Sequence, residues 1–157
     1  MEFVVGALIG ACAAIFGAYF GVWLQLKFSE KERRKDTLTS LLQETESNIA
    51  YLETNAKHIT LYEDAYLIAK NSGNLRLLSP QLVKILTSTY LSIKNRNEIL
   101  QLQRYTFGTV DWTKHLITLT DGTAVPFPKW LDMNTEDLRS ILPKLRETLN
   151  QELRRTS

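Results

Sequence analysis

Residues Phe3–Leu26 read FVVGALIGACAAIFGAYFGVWLQL, and this stretch decides how the rest of the chain is read. It contains no Asp, Glu, Lys or Arg, and Gln25 is its only strongly polar side chain. As a helix it spans about 36 Å at ~1.5 Å per residue, enough for a ~30 Å hydrocarbon core. The stretch ends abruptly in Lys27, Lys31, Arg33, Arg34 and Lys35, and only Glu2 precedes it. Basic residues stay on the cytoplasmic side. The expectation is therefore a single-pass anchor in a bacterial inner membrane, with the N-terminus outside and the C-terminal domain in the cytoplasm. Tyr19, Trp23 and Phe28 fall near that interface.

A cleaved signal peptide needs a basic start and a shorter apolar core, and neither is present. Ile9-Gly10-Ala11-Cys12 loosely matches a lipobox, but the apolar run continues well past Cys12. Gly6, Gly10, Ala14, Gly17 and Gly21 fall on one helical face, bordered by Ala7, Ala11 and Ala18. Small residues let helix backbones approach closely, so this stripe is the expected self-association surface.

The whole-chain averages conceal this placement. The chain has 157 residues, 19 basic and 17 acidic, one Cys and a formal charge of +2. Its mean hydropathy is −0.17. The length fits one domain with an appendage, and one Cys excludes an intrachain disulfide framework. A charge this small does not argue for general nucleic-acid binding.

After the anchor, residues 27–36 read as a basic juxtamembrane helix and 37–157 as a cytosolic helical domain. Ser29–Asp36 contains no helix breaker, so the anchor helix is expected to continue through it. Leu38, Leu42, Thr45, Ile49, Leu52, Ala56 and Ile59 form a short heptad seam, either between subunits or on one face of a bundle. A second helix over Leu61–Lys70 ends at Asn71-Ser72-Gly73. Ser79-Pro80 opens a third that reaches Tyr105. Leu116–Leu119 and Ala124–Phe127, joined through Asp121-Gly122, read as a hairpin. Asn134–Asp137 starts a last helix, kinked or divided at Pro143. The expected fold class is mainly α: one transmembrane helix, a small helical cytosolic domain and one short β-hairpin.

Catalytic signatures are missing. Cys12 lies in the apolar stretch, His58 and His115 lack paired metal-ligand spacing, and no glycine belongs to a phosphate loop. No enzymatic role, cofactor or metal is expected. Charge is segregated instead: Asp36–Asp64 carries −5 and Ala65–Thr120 carries +5. Within the basic half, Arg104-Tyr105, Phe107, Trp112 and Lys114-His115 mix cations with rings. That mixture suits an anionic ligand that contains bases, because cations take phosphate and rings stack on bases. The candidate ligand residues are Lys94, Arg96, Arg104, Trp112, Lys114 and His115. The competing reading pairs the acidic and basic helices and puts the rings in the core.

The pattern Ala65-Tyr66, Ser72-Gly73-Asn74-Leu75, Leu78-Ser79-Pro80, Leu82, Leu86, Tyr90, Ile93 and Asn97 resembles small bacterial single-pass membrane proteins. In size and plan the chain is also similar to type III CRISPR-associated membrane effectors. That resemblance implies an oligomer in antiviral defence whose cytosolic domain binds a cyclic oligoadenylate and perturbs the inner membrane. It carries over no binding residue. The alternative is a membrane-tethered adaptor that docks a protein partner through its helical domain. The expected partners are the lipid bilayer, further copies of the chain, and a cyclic nucleotide or a protein; duplex DNA is not expected.

Overall fold

The computed structural model describes the backbone of residues 2–54 and 58–156, and side chains from Ala14 onward. The chain forms helix α1 (Glu2–Glu53), α2 (Asp64–Asn71), a 3-10 turn (Asn74–Leu77) and α3 (Pro80–Tyr105). Strands β1 (Leu116–Thr118) and β2 (Ala124–Pro126) and a long final helix, α4 (Phe127–Thr156), complete it.

α1 runs unbroken through the charged stretch, as the lack of a breaker there predicts. Its second half lies against α3 and α4. Leu38 and Leu41 of α1, Leu82, Leu86, Tyr90 and Ile93 of α3, and Leu138, Leu142, Leu145 and Leu149 of α4 close the main core. Leu42 and Ile49 pack against the edge of that core, so the seam on α1 is an intramolecular bundle face. Ala56 lies outside the described residues. A smaller core joins Leu100, Trp112, Val125, Phe127, Trp130 and Leu131 beside the hairpin.

The ends of the elements follow local chemistry. Ser79 caps α3 by accepting from the Leu82 N–H at 3.4 Å, and Pro80 occupies the first turn, where its missing donor costs nothing. Gly73 takes φ +72° just past α2, a conformation that stops a helix and that a Cβ disfavours. Arg139 of α4 donates to the Leu52 carbonyl through Nη2 (2.7 Å) and Nε (3.3 Å), serving the bare carbonyl end of α1. In the hairpin Ile117 pairs with Val125, and Gly122 turns the chain with φ +83°.

Four sequence expectations need correction. Among the described residues no helix is long and apolar enough to cross a membrane. The side chains of Phe3–Ala13, on which the span also depends, lie outside the described residues. Among the described residues the fold is mainly α with one hairpin and no membrane-spanning helix, so the single-pass inner-membrane placement is not supported.

α2 starts at Asp64 rather than Leu61, because Leu61 and Tyr62 are held by side chains of two neighbouring helices. α4 begins at Phe127 rather than Asn134; Pro128 sits in its first turn, where proline is tolerated. α4 is not divided at Pro143 but continues through it as one helix, with Leu142 and Leu145 on either side buried in the core.

Candidate docking surfaces

The six candidate ligand residues do not converge. Arg96 is fully buried, donates to the Thr135 hydroxyl at 2.9 Å, and is lowered by burial to about 10. Trp112 is a core residue; its indole N–H donates to Thr106 at 2.9 Å and its ring meets Phe127 edge-on at 5.1 Å. His115 leans on Trp112 at 4.6 Å, and its carbonyl accepts from the Phe127 N–H at the start of α4. Lys94 pairs with Glu98 one turn on, and Lys114 with Asp111. The Thr113 hydroxyl, then Lys114, hold the Asp111 carboxyl below its ordinary range. Arg104 donates to the His58 carbonyl at 2.9 Å. Beside them Tyr105 and Phe107 are 87% and 86% exposed, the least covered aromatic rings described.

The larger exposed feature is the described stretch Ala14–Phe28 of α1. Ile15, Phe16, Tyr19, Phe20, Val22, Trp23, Leu26 and Phe28 are all exposed. At about 100° per residue the segment has two faces. Phe16, Phe20 and Trp23 lie along a bulky one, with Phe20 and Trp23 stacked at 5.7 Å. Ala14, Gly17, Ala18 and Gly21 make a thin one, and a Cβ built on Gly17 or Gly21 would meet nothing within 4 Å. Gly6 and Gly10, predicted on the same stripe, have side-chain positions outside the described residues, as does Cys12.

The bulky line continues down the helix. Phe16, Phe20, Trp23, Lys27, Lys31, Arg34, Leu38 and Leu41 recur at three- and four-residue steps, so one stripe passes from aromatic to basic to core. Lys27 Nζ sits 4.3 Å above the Trp23 ring. Lower down, Arg34 donates to the Glu152 carboxylate at 2.6 Å. Glu152 also accepts from the Ser79 hydroxyl at 3.3 Å and pairs with Arg155 at 3.4 Å.

The sequence reading missed the polar residues that organise this end of the bundle. Glu44, buried on α1, accepts from the Ala65 N–H (2.7 Å) and the Tyr66 N–H (3.3 Å) and so caps α2. Asn48 and Asn97 grip the segment before α2. The available signal was polar residues at positions where the helical period asks for apolar ones. Comparison with protein-family models, with curated proteins and with solved structures finds no match.

Proposed function

We propose that the chain is a non-catalytic assembly protein that pairs with a second copy of itself through the thin face of α1. The observation that carries this reading is the uncovered Ala14–Phe28 stretch of α1, whose C-terminal half is built into the core. A contiguous exposed apolar surface of this kind marks an interaction site. The open space around Gly17 and Gly21 favours another helix as the occupant, because two backbones can approach closely there. The carboxylates at the helix junctions support a structural role: Glu44 caps a helix and Glu152 ties three elements together.

Mass measurement of the full chain in solution over a range of concentrations tests this. The wild type is expected to be a dimer or larger. Gly17→Leu and Gly21→Leu place bulk on the thin face without meeting anything in the monomer, and each should shift the protein towards monomer. Wild-type protein that is monomeric at all concentrations overturns the reading.

A second reading keeps an anionic nucleotide as ligand. It draws support from exposed Tyr105 and Phe107, close in sequence to Arg104, since open rings near a cation suit stacked bases. Calorimetric titration of the full chain with cyclic oligoadenylates tests it, and no heat with any ring size removes it.

A further inference from the structure

Where the bulky stripe of α1 turns basic, a cavity of about 380 Å³ opens between Lys27, Lys31 and Arg34 of α1 and Arg155 near the end of α4. Leu77 and the buried Thr156 form part of its wall. Among the described residues four cations line or border this space, against Glu30 within it and Glu152 at its edge. Glu152 serves two of the cations, Arg34 and Arg155. The excess is positive, and the carboxylate fixes the Arg34 guanidinium in place. One turn up the stripe from Lys27 stands the Trp23–Phe20 stack, fully outside the bundle.

We infer that this cavity takes the phosphate of an anionic phospholipid headgroup, with the acyl chains lying along Phe16, Phe20 and Trp23. Charge complementarity identifies the phosphate, and the aromatic line beginning one turn away identifies the tail. A phospholipid has these two chemistries in the same order. Lys27 joins the two zones: it lines the cavity, and its ammonium lies over the Trp23 ring one turn up the stripe. The contact is interfacial and requires no helix to cross the lipid. It uses the bulky face and not the thin one, so it stands or falls separately from self-association.

The full chain is incubated with phosphatidylcholine vesicles, with and without phosphatidylglycerol, and bound protein is measured by flotation. At low salt, phosphatidylglycerol should raise binding at least about tenfold, and added salt should reverse the gain. Arg155→Gln, exposed and therefore tolerated by the fold, should lower binding about fivefold, the worth of one basic residue at an anionic surface. Compared at ~0.1 M salt, where the Debye length is ~10 Å, Lys144→Gln removes the same charge from α4 outside the cavity and should change binding by less than about twofold. Circular dichroism confirms that both variants are folded. Equal binding to the two vesicle types overturns the inference, and so does an equal loss in Lys144→Gln. Glycerol phosphate in solution should leave vesicle binding unchanged; displacement by it means a soluble phosphate ester is the ligand, which also overturns the lipid assignment.

Discussion

Asn97 and Asn48, on different helices, hold two consecutive residues of one irregular segment by the same device. Asn97 accepts from the Leu61 N–H and donates to the Leu61 carbonyl, both at 2.8 Å. Asn48 accepts from the Tyr62 N–H at 2.7 Å and donates to its carbonyl at 2.9 Å. Each side-chain amide replaces a strand partner for a backbone that has none, which lets a non-helical segment pass through the interior. Asn97→Ala should destabilise the protein by about 2–4 kcal/mol, because two buried backbone groups are left unsatisfied. Asn97→Asp keeps the acceptor, loses the donor and places a buried charge there, so it should be no milder. Urea unfolding followed by circular dichroism measures both.

Tyr90 makes an opposite case. Its ring stacks on Tyr66 at 4.5 Å, yet its hydroxyl is buried with no hydrogen-bond partner among the described residues. Burial, and then the nearby Glu44 carboxylate, push its phenol far above the ordinary value. The folded state thus keeps the proton while the unfolded state releases it near pH ~10. The stabilising effect is complete below that pH and is lost as pH rises above it, by up to ~1.4 kcal/mol per pH unit. Tyr90→Phe should be neutral or stabilising by up to about 1 kcal/mol at pH 7, and should flatten the alkaline loss. Arg96 works in the other direction: burial lowers it to about 10, so the cost of keeping it charged is relieved as pH rises past that value. Stability of both proteins between pH 8 and 11 checks the two signs.

Glu152 joins α1, the cap of α3 and α4 at one carboxylate. Glu152→Gln keeps the shape and removes the charge. It should cost about 1–3 kcal/mol, because a mostly buried Arg34 contact loses its counter-charge. The loss should shrink little in high salt, unlike that of an exposed pair. Thermal unfolding at two ionic strengths separates the cases.

Trp112 should behave as a core residue. Trp112→Ala should cost about 3–5 kcal/mol and loosen the hairpin, whereas Trp112→Phe should cost only about 1 kcal/mol for the lost Thr106 contact. Amide exchange at Ile117 and Val125 reports the loosening. A Trp112→Phe variant of unchanged stability that loses affinity for a cyclic oligoadenylate would contradict this assignment.

Much of the bundle is legible in the sequence, because periodic leucines and a Ser-Pro start depend on local chemistry. Leu82, Leu86, Tyr90 and Ile93 repeat at helical spacing and share one core face. The start of α2 is not legible, because it is set by Asn48, Asn97 and Glu44 reaching across from elsewhere in the chain. Pro143 misleads for a similar reason: packing of Leu142 and Leu145 keeps α4 helical through it. Arg96 and Trp112 look like ligand groups in a charge-and-ring count. Only tertiary packing shows that Thr135 and Phe127 occupy them. The exposed rings of Tyr105 and Phe107 and the basic cavity depend on which helix faces are left uncovered, and that too is a property of packing.

The continuity of α1 fixes a rotational phase. At about 100° per residue, Gly21 points roughly 100–160° away from the directions in which Leu38, Leu41 and Leu52 enter the core, with Gly17 on the flank between. Two copies joined along their thin faces would therefore stand back to back, with their bundles on opposite outer flanks and their basic cavities turned outward. Inserting one residue between Gly21 and Leu38 would rotate each bundle by about 100° about the shared axis, while inserting seven would nearly restore the starting orientation. The spacing between the two halves of α1 thus acts as a setting for how the paired domains face their surroundings.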